Sequence, residues 1–249
     1  MNSLRDRLLA MRLYGMASAL EEYSDSETFK EMSFREQLSI LLEQEGIYRN
    51  SRQLKRLITT ARLRYTDACI EEIKFNASRG FDKGLLLDLS KMDWVSNKRN
   101  IIITGPTGTG KTYIACAIGN SACRHGVKTL YIRQPKLFGE FRLARADGEY
   151  MKRLDKISKT ELLIIDDWGM SSLNDMERRD LFEIVENRYD IHSTIIVTQF
   201  PVDKWHSLIG DPTIADAICD RLIHNAYRLK LTGGSMRKIK MEHKIKGGI

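Results

Sequence analysis

Residues 105–112 decide the class of this chain, and they read Gly105-Pro106-Thr107-Gly108-Thr109-Gly110-Lys111-Thr112. The spacing G-x-x-x-x-G-K-T is a complete phosphate-binding loop, in which glycines let consecutive backbone N–H groups point inward at an anion. The apolar, β-branched run Asn100–Thr104 before it predicts a buried parallel strand, and the run 113–118 after it predicts a buried helix. We therefore expect all eight residues to bind ATP phosphates. Lys111 is expected to reach the β- and γ-phosphates, and Thr112 to ligate Mg²⁺.

The composition of the 249-residue chain is typical of a globular protein in water, with 42% hydrophobic and 29% charged residues. No stretch reaches the roughly 18 apolar residues that span a membrane. The first residues carry charges through their apolar positions, unlike a secretory signal. The four cysteines form no C-x-x-C pair, so the pattern favours neither a zinc site nor a disulfide framework. A cytoplasmic protein without membrane contact is expected.

The net charge of +7 is distributed unevenly. Residues 1–93 and 94–226 are nearly balanced, whereas residues 227–249 contain seven basic side chains and one acidic one. A solvated tail and a polyanion contact both explain this excess, and the tail alone does not decide between them.

Residues 1–75 show helical periodicity and predict a small all-helical N-terminal domain for DNA binding or self-association. The run 33–36, Ser-Phe-Arg-Glu, resembles a capping box and predicts a helix start. Gly46 predicts the end of that helix.

The next predicted helix has an apolar face and a basic face. Its apolar face consists of Leu54, Leu57, Ile58, Ala61 and Tyr65. From residue 49 to residue 64 there are six basic residues and no acidic one. A core helix requires only the apolar stripe, so the acid-free face favours phosphate contact over simple solvation. The candidate DNA contacts here are Arg49, Arg52, Lys55, Arg56 and Arg62.

Strands and helices alternate after a linker and entry segment at 76–99. The predicted strands are Asn100–Thr104, Thr129–Arg133, Glu161–Asp166, Thr194–Thr198 and Tyr227–Leu231. Five strands with crossover helices predict an α/β fold with a five-stranded parallel sheet. The domain boundaries that follow are 1–75, 76–231 for the nucleotide-binding domain and 232–249 for a basic tail.

The third strand ends in two aspartates, which is the Walker B pattern. A carboxylate at the carboxyl end of a buried strand lies beside the phosphate loop in an open α/β sheet. We expect Asp166 to hold Mg²⁺ and Asp167 to orient and activate the attacking water. The alternative is an ordinary turn, in which aspartate is common.

Two further residues are candidates for phosphate chemistry. The fourth strand is expected to lie beside the Walker B strand, so Gln199, or else Thr198, could reach the γ-phosphate or the water. Arg221 lies near the end of an amphipathic helical pattern and is a candidate arginine finger for the site of a neighbouring subunit. The alternative for Arg221 is a surface arginine paired with Asp216 or Asp220.

The whole chain resembles the IstB-like ATP-binding family, the helper ATPases of insertion-sequence transposases. That family is close to the DnaC/DnaI helicase loaders within the AAA+ superfamily. The motifs that carry the resemblance are 105–112, Asp-Asp-Trp-Gly at 166–169, 199–205, 209–226 and 234–237. The resemblance implies an AAA+ P-loop fold, Arg221 as a finger acting in trans and Arg237 as a second phosphate sensor. It also implies ATP-dependent self-assembly on DNA.

Two positions depart from the usual AAA+ pattern. Asp167 stands where many relatives have glutamate, and the shorter carboxylate predicts slow or partner-stimulated hydrolysis. Only 18 residues follow Leu231, too few for the usual helical lid, so the lid is expected to be missing and Arg237 is as well explained as a basic tail residue.

The segment between the second and third strands is basic as well. Residues 133–159 contain eight lysines and arginines against four acidic residues. In this AAA+ branch an additional helix faces the central channel at this point. Lys136, Arg142 and Arg145 are therefore candidate phosphate contacts, with a solvated face as the alternative.

Three functions compete. The first is a DNA-binding AAA+ ATPase that assembles on duplex DNA with little sequence preference and assists a transposase in target selection and recombination. The second is a replicative helicase loader; some loaders carry a cysteine zinc site near the N-terminus, and this chain has no such motif. The third is a small-molecule P-loop kinase, in which Arg221 and the basic helix would have no role.

Overall fold

The computed structural model of the chain describes residues 3–73, 80 and 82–236. Its helices are α1 (Leu4–Ala10), α2 (Tyr14–Tyr23), α3 (Glu27–Glu31), α4 (Phe34–Ala61), α5 (Lys83–Ser90), α6 (Asp93–Ser96), α7 (Lys111–Arg124), α8 (Gln134–Ala146), α9 (Tyr150–Ser158), α10 (Asp175–Arg188), α11 (Trp205–Ile209) and α12 (Pro212–Ile223). Its strands are β1 (Asn100–Thr104), β2 (Thr129–Arg133), β3 (Leu162–Trp168), β4 (Ser193–Thr198) and β5 (Ala226–Lys230).

The chain divides into two compact units, residues 1–56 and 57–249. In the first unit, the buried carboxylate of Glu45 accepts hydrogen bonds from the backbone N–H groups of Gly15 (2.7 Å) and Met16 (3.2 Å), at the start of α2. An anion at a helix N-terminus satisfies donors that have no partner within the helix. Glu45 thereby joins α4 to α2.

Helix α4 is longer than the sequence predicts. The capping box at its start is confirmed, because Ser33 and Glu36 exchange hydrogen bonds. The predicted end at Gly46 is wrong, since the helix runs without a break from Phe34 to Ala61, a length of 28 residues. A single helical glycine costs only about 1 kcal/mol relative to alanine. The helix ends where Arg62 takes a left-handed φ of 53°, so the prediction that Tyr65 lies on its apolar face is wrong.

The boundary between the units lies within α4, before the predicted boundary at residue 75. Residues that follow α4 belong to the second unit because they pack on its core. Asn120 of α7 donates to the carbonyl oxygens of Thr66 (2.9 Å) and Ala68 (3.0 Å), and Ile70 and Ile73 are buried.

The second unit is built on a parallel sheet with the strand order β2-β3-β4-β1-β5. Every predicted strand is confirmed to within two residues at each end. The three central strands, β1, β3 and β4, are buried on both faces, as their β-branched composition predicts, whereas the edge strands β2 and β5 are partly exposed. On one face Ile102, Ile165 and Ile196 join a core with α8–α12; on the other, α7 packs close enough for Gly119 to approach Ile164.

After β5 the structure describes residues 231–236 only, so the expectation of a missing lid lies largely outside the described residues. Within the described part of the chain, no helix is both long enough and apolar enough to cross a lipid bilayer.

Candidate nucleotide-binding site

The phosphate loop joins the carboxyl end of β1 to the start of α7. Gly105 has a φ of 148°, and a Cβ there would collide with the carbonyl oxygen of Leu231. Gly110, at φ 94°, is the residue that precedes α7. The loop therefore presents its backbone at a helix N-terminus, where both the free N–H groups and the helix dipole attract an anion. The Lys111 ammonium donates to the carbonyl oxygens of Gly105 (2.7 Å) and Pro106 (2.9 Å), within the same loop.

Thr112 and Asp166 lie side by side, as a metal site requires. The Thr112 hydroxyl donates to Asp166 Oδ2 at 2.9 Å, and Asp166 is only 2% exposed. A hydroxyl and a carboxylate at one point form the oxygen donor set that Mg²⁺ prefers. These two residues, at the ends of different elements, therefore fit the ion predicted for them.

Asp166 and Asp167 lie at an irregularity in β3. The register between β3 and β4 shifts between Ile165 and Trp168, so the strand bulges at the two aspartates. Asp167 has a φ of 57°, an uncommon conformation for a residue other than glycine. Bulges of this kind re-aim side chains beside active sites. The Asp167 carboxylate is held by Arg133, the last residue of β2, whose Nε lies 2.5 Å from Oδ2.

The geometry distinguishes the two candidates at the end of β4. The buried Thr198 hydroxyl donates to the Trp168 carbonyl (2.9 Å) and accepts from the Phe200 N–H (3.1 Å). Its hydrogen-bonding groups are therefore engaged with the backbone. The Gln199 side-chain oxygen accepts a 2.6 Å hydrogen bond from Thr107 of the phosphate loop. Of the two, Gln199 is the side chain that reaches the loop.

Arg221 lies away from the phosphate loop of its own chain. Its Nε is 2.5 Å from Glu186 on α10, while the two predicted partners, Asp216 and Asp220, lie beside His206 and His224. The predicted alternative of a pairing with Asp216 or Asp220 is therefore wrong in its partner.

The five candidate DNA contacts from residue 49 to residue 62 lie in different surroundings. Arg52, Lys55 and Arg56 are exposed. Arg49 is bound to the buried Glu45, with 2.6 Å between Nε and Oε1. Arg62 lies 3.5 Å from Glu140 of α8.

Helix α8 carries the second set of candidates, and the structure separates them. Lys136 and Arg142 are exposed. Arg145 forms two hydrogen bonds to the buried carboxylate of Asp180 and stacks on Tyr150, with its guanidinium carbon 4.1 Å from the ring centroid. Because Asp180 would be left buried and unpaired without it, Arg145 holds α8 to α10, which corrects its prediction as a phosphate contact.

The predicted sensor Arg237 and the basic tail from 237 onward lie outside the described residues.

Three residues around the end of β2 hold the Walker B segment, and the sequence patterns did not indicate this role for them. The Tyr131 hydroxyl donates to Asp166 at 2.7 Å, Arg133 pairs with Asp167, and the buried Gln134 side chain accepts from the Gly169 N–H at 2.6 Å. A tyrosine between two apolar residues of a predicted strand is the one local signal, since a buried phenol usually has a hydrogen-bond partner.

This combination of fold and site defines a P-loop nucleotide-binding protein. The phosphate loop follows β1, the paired aspartates end β3, and β4 with Gln199 lies between them in the sheet. Ligands in open parallel sheets bind at the carboxyl ends of the strands, where all these groups meet.

The chain belongs to the IstB-like ATP binding protein family, whose model matches residues 6–244. It is 44% identical over 233 residues to an insertion sequence ATP-binding protein of Sinorhizobium fredii, a match that covers 94% of this chain and 95% of that protein. It is 28% identical over 249 residues to the ATP-binding protein of insertion sequence IS21 from Pseudomonas aeruginosa, covering 100% and 92%. ATPase activity is consistent with this membership.

Solved structures share the fold at low sequence identity. DnaI matches with a TM-score of 0.57 and 21% identity over 68% of this chain and 90% of that chain. The DnaC helicase loader matches with a TM-score of 0.56 and 21% identity, over 68% of this chain and 99% of that chain. At this identity the likeness shows the AAA+ fold alone.

Proposed function

We propose that this protein is a Mg²⁺-dependent ATPase that assembles on duplex DNA through ATP sites shared between copies, and that it assists the transposase of an insertion sequence. One observation carries the shared site: Arg221 and the phosphate loop lie at opposite ends of β1. The Asn100 side chain, at the amino end of β1, donates to the Arg221 carbonyl at 3.2 Å, whereas Gly105 follows the carboxyl end. Five strand residues span about 16 Å.

The consequence for Arg221 is that it has no role at the site of its own chain. Arg221 lies at the amino ends of the strands, on the opposite side of the sheet from the nucleotide-binding end. A second copy could place its phosphate loop there. An arginine that enters a neighbouring site neutralises charge on the transferred phosphoryl group. To enter that site, Arg221 would exchange its contacts with Glu186, Phe182 and Tyr189 for phosphate oxygens.

Some side chains of this site would bind the phosphates and Mg²⁺, and others would act on the attacking water. The Lys111 ammonium would exchange the carbonyls of its own loop for β- and γ-phosphate oxygens. Thr112 and Asp166 would hold Mg²⁺, which neutralises charge on those phosphates. Asp167 would orient the attacking water, and Gln199 would contact the water or the γ-phosphate.

Two features of Asp167 predict slow turnover in the protein alone. Its side chain is one carbon shorter than the glutamate common at this position, and Arg133 already holds it. The carboxylate must leave Arg133, or share it, before it can accept a proton from water. Stimulation by DNA or a partner would then act through a change at this ion pair.

Basic helix faces support binding to the duplex backbone. On α4 the exposed cations are Arg52, Lys55 and Arg56. Within α8 the single acidic residue, Glu140, is paired with Arg62 and Arg153, whereas the cations Lys136 and Arg142 are exposed. Exposed cations on helix faces suit sequence-independent phosphate contact.

The partner is inferred from the names of the relatives. Relatives that match more than 90% of the chain are called ATP-binding proteins of insertion sequences, which favours a transposase over a replicative helicase as the partner. The helicase-loader alternative has only the shared fold in its favour.

The test is assembly on a duplex of unrelated sequence, followed by sedimentation and electron microscopy with and without a non-hydrolysable ATP analogue. We expect analogue-dependent oligomers on DNA for the parent and for Arg179→Ala, a matched change of an exposed arginine on α10. Arg221→Ala should bind the analogue and remain unassembled. Assembly that is the same with and without the analogue, or that still occurs in Arg221→Ala, would contradict the shared site.

A further inference from the structure

The carboxylate of Asp166 is held by three donors from three elements. Its Oδ2 accepts from the hydroxyls of Thr112 (2.9 Å) and Tyr131 (2.7 Å), and its Oδ1 accepts from the Asp167 N–H (2.8 Å). Asp166 is 2% exposed and Tyr131 7% exposed, so water does not compete for these bonds. Tyr131 belongs to β2, and its neighbour across the β2–β3 ladder is Ile164, two residues before Asp166.

The three donors are not equivalent when a cation binds. The carboxylate oxygen Asp166 Oδ2 has two lone pairs in its plane, and the one that accepts from Thr112 is the one that faces the cation site, so it is the bond from Thr112 that a cation would replace. Tyr131 and the Asp167 N–H keep their bonds.

We propose that Tyr131 is a positioning residue for the divalent-metal site of Thr112 and Asp166. Its phenol fixes one lone pair of Asp166 Oδ2, which leaves the other lone pair directed at the point where the Thr112 hydroxyl lies. This inference rests on the proposed metal-dependent ATPase. Groups that orient a metal ligand in this way typically account for 10–100-fold in metal affinity, so we expect a loss of about that size without the phenol.

The chain offers a control for the removal of one hydroxyl that donates to a buried aspartate. The half-buried Tyr150 also donates to such a carboxylate, with 2.8 Å between its hydroxyl and Asp180, on the α9–α10 contact. Tyr131→Phe and Tyr150→Phe therefore remove the same group from the same kind of hydrogen bond, and only the first touches Asp166.

The experiment measures Mn²⁺ affinity by electron paramagnetic resonance in the complex with a non-hydrolysable ATP analogue, and nucleotide affinity separately in EDTA. We expect Tyr131→Phe to weaken Mn²⁺ binding about 10–100-fold, with nucleotide affinity in EDTA unchanged and Tyr150→Phe like the parent. A Mn²⁺ affinity within about twofold of the parent overturns the proposal, as does an equal loss in both variants.

A second measurement keeps the hydroxyl and so does not depend on the folding of the phenylalanine variant. With 3-fluorotyrosine at position 131 alone, the ¹⁹F resonance should shift when Mg²⁺ saturates the analogue complex, and the shift should vanish in Asp166→Asn. A resonance that saturating Mg²⁺ leaves unmoved overturns the proposal. If the parent binds nucleotide but no Mn²⁺, the proposed metal-dependent function fails first, which distinguishes the two failures.

Discussion

Charge reversal on α4 gives a quantitative test of DNA binding. The change is Arg52→Glu, Lys55→Glu and Arg56→Glu together, three exposed cations on one face. Arg49 is left in place because it pairs with the buried Glu45. The helix should persist, since Leu57 (5% exposed) and Ala61 (0%) are buried and surface substitutions cost about 0.5 kcal/mol or less each.

The size of the effect follows from counterion release. Each phosphate contact contributes about 0.9 to the slope of log affinity against log salt, so three lost contacts flatten the slope by about 2.7 for each subunit engaged. Between roughly 50 and 200 mM salt the parent should lose about 40-fold more affinity than the variant. The reversed charges also repel the backbone, so binding at low salt should be weaker for every duplex sequence.

The assay is fluorescence anisotropy on unrelated duplexes over a salt series with ATP present. The control is Arg7→Glu, Lys30→Glu and Arg35→Glu, which changes the net charge equally at exposed positions of the same N-terminal unit. An unchanged slope in the folded α4 variant would refute the assignment, and so would an equal flattening in the control. DNA contact would then have to be sought on α8 or in the tail.

Four further predictions concern the ATP site. Lys111→Ala should weaken ATP binding about 10–100-fold by calorimetry, because a charge-assisted hydrogen bond contributes about 1.5–3 kcal/mol; unchanged affinity would contradict its role. Asp167→Asn should bind ATP normally and hydrolyse it about a hundredfold or more slower in a phosphate-release assay, whereas turnover at the parent rate would show that another group positions the water. Arg221→Ala should bind ATP, lose about 10³-fold in turnover and regain activity when mixed with Lys111→Ala; no recovery in demonstrated mixed oligomers would exclude a trans role. Arg133→Ala should raise DNA-independent turnover by up to about fivefold, because an exposed ion pair contributes up to about 1 kcal/mol and that free energy corresponds to such a factor. A fall in turnover would mean that Arg133 assists Asp167.

The sequence by itself determined the class of protein and the sheet. The glycine spacing of 105–112 and the apolar runs that form β1–β5 are local patterns, and each depends on backbone conformation or burial that neighbouring residues specify. The Walker B aspartates could also be found locally, because a carboxylate directly after a buried apolar strand is costly to bury unless a cation or a donor meets it.

Contacts between distant segments were decided only by the tertiary structure. The sequence does not show that Arg145 would meet Asp180, or that Arg221 would meet Glu186, because each pair joins residues 35 positions apart on different helices. Helix α4 passed through Gly46 for a similar reason, since the cost of one glycine is smaller than the packing gained on either side.

The conformation of the site was likewise decided only by the tertiary structure. The bulge at Asp166 and Asp167 depends on the pairing of β3 with β4, and the bond from Tyr131 depends on the pairing of β3 with β2. Strand order is a global property of the sheet, fixed by how helices pack on both its faces, and no local pattern encodes it. The sequence therefore indicated the candidate residues of the nucleotide site, and the folded sheet decided which neighbours hold them in place.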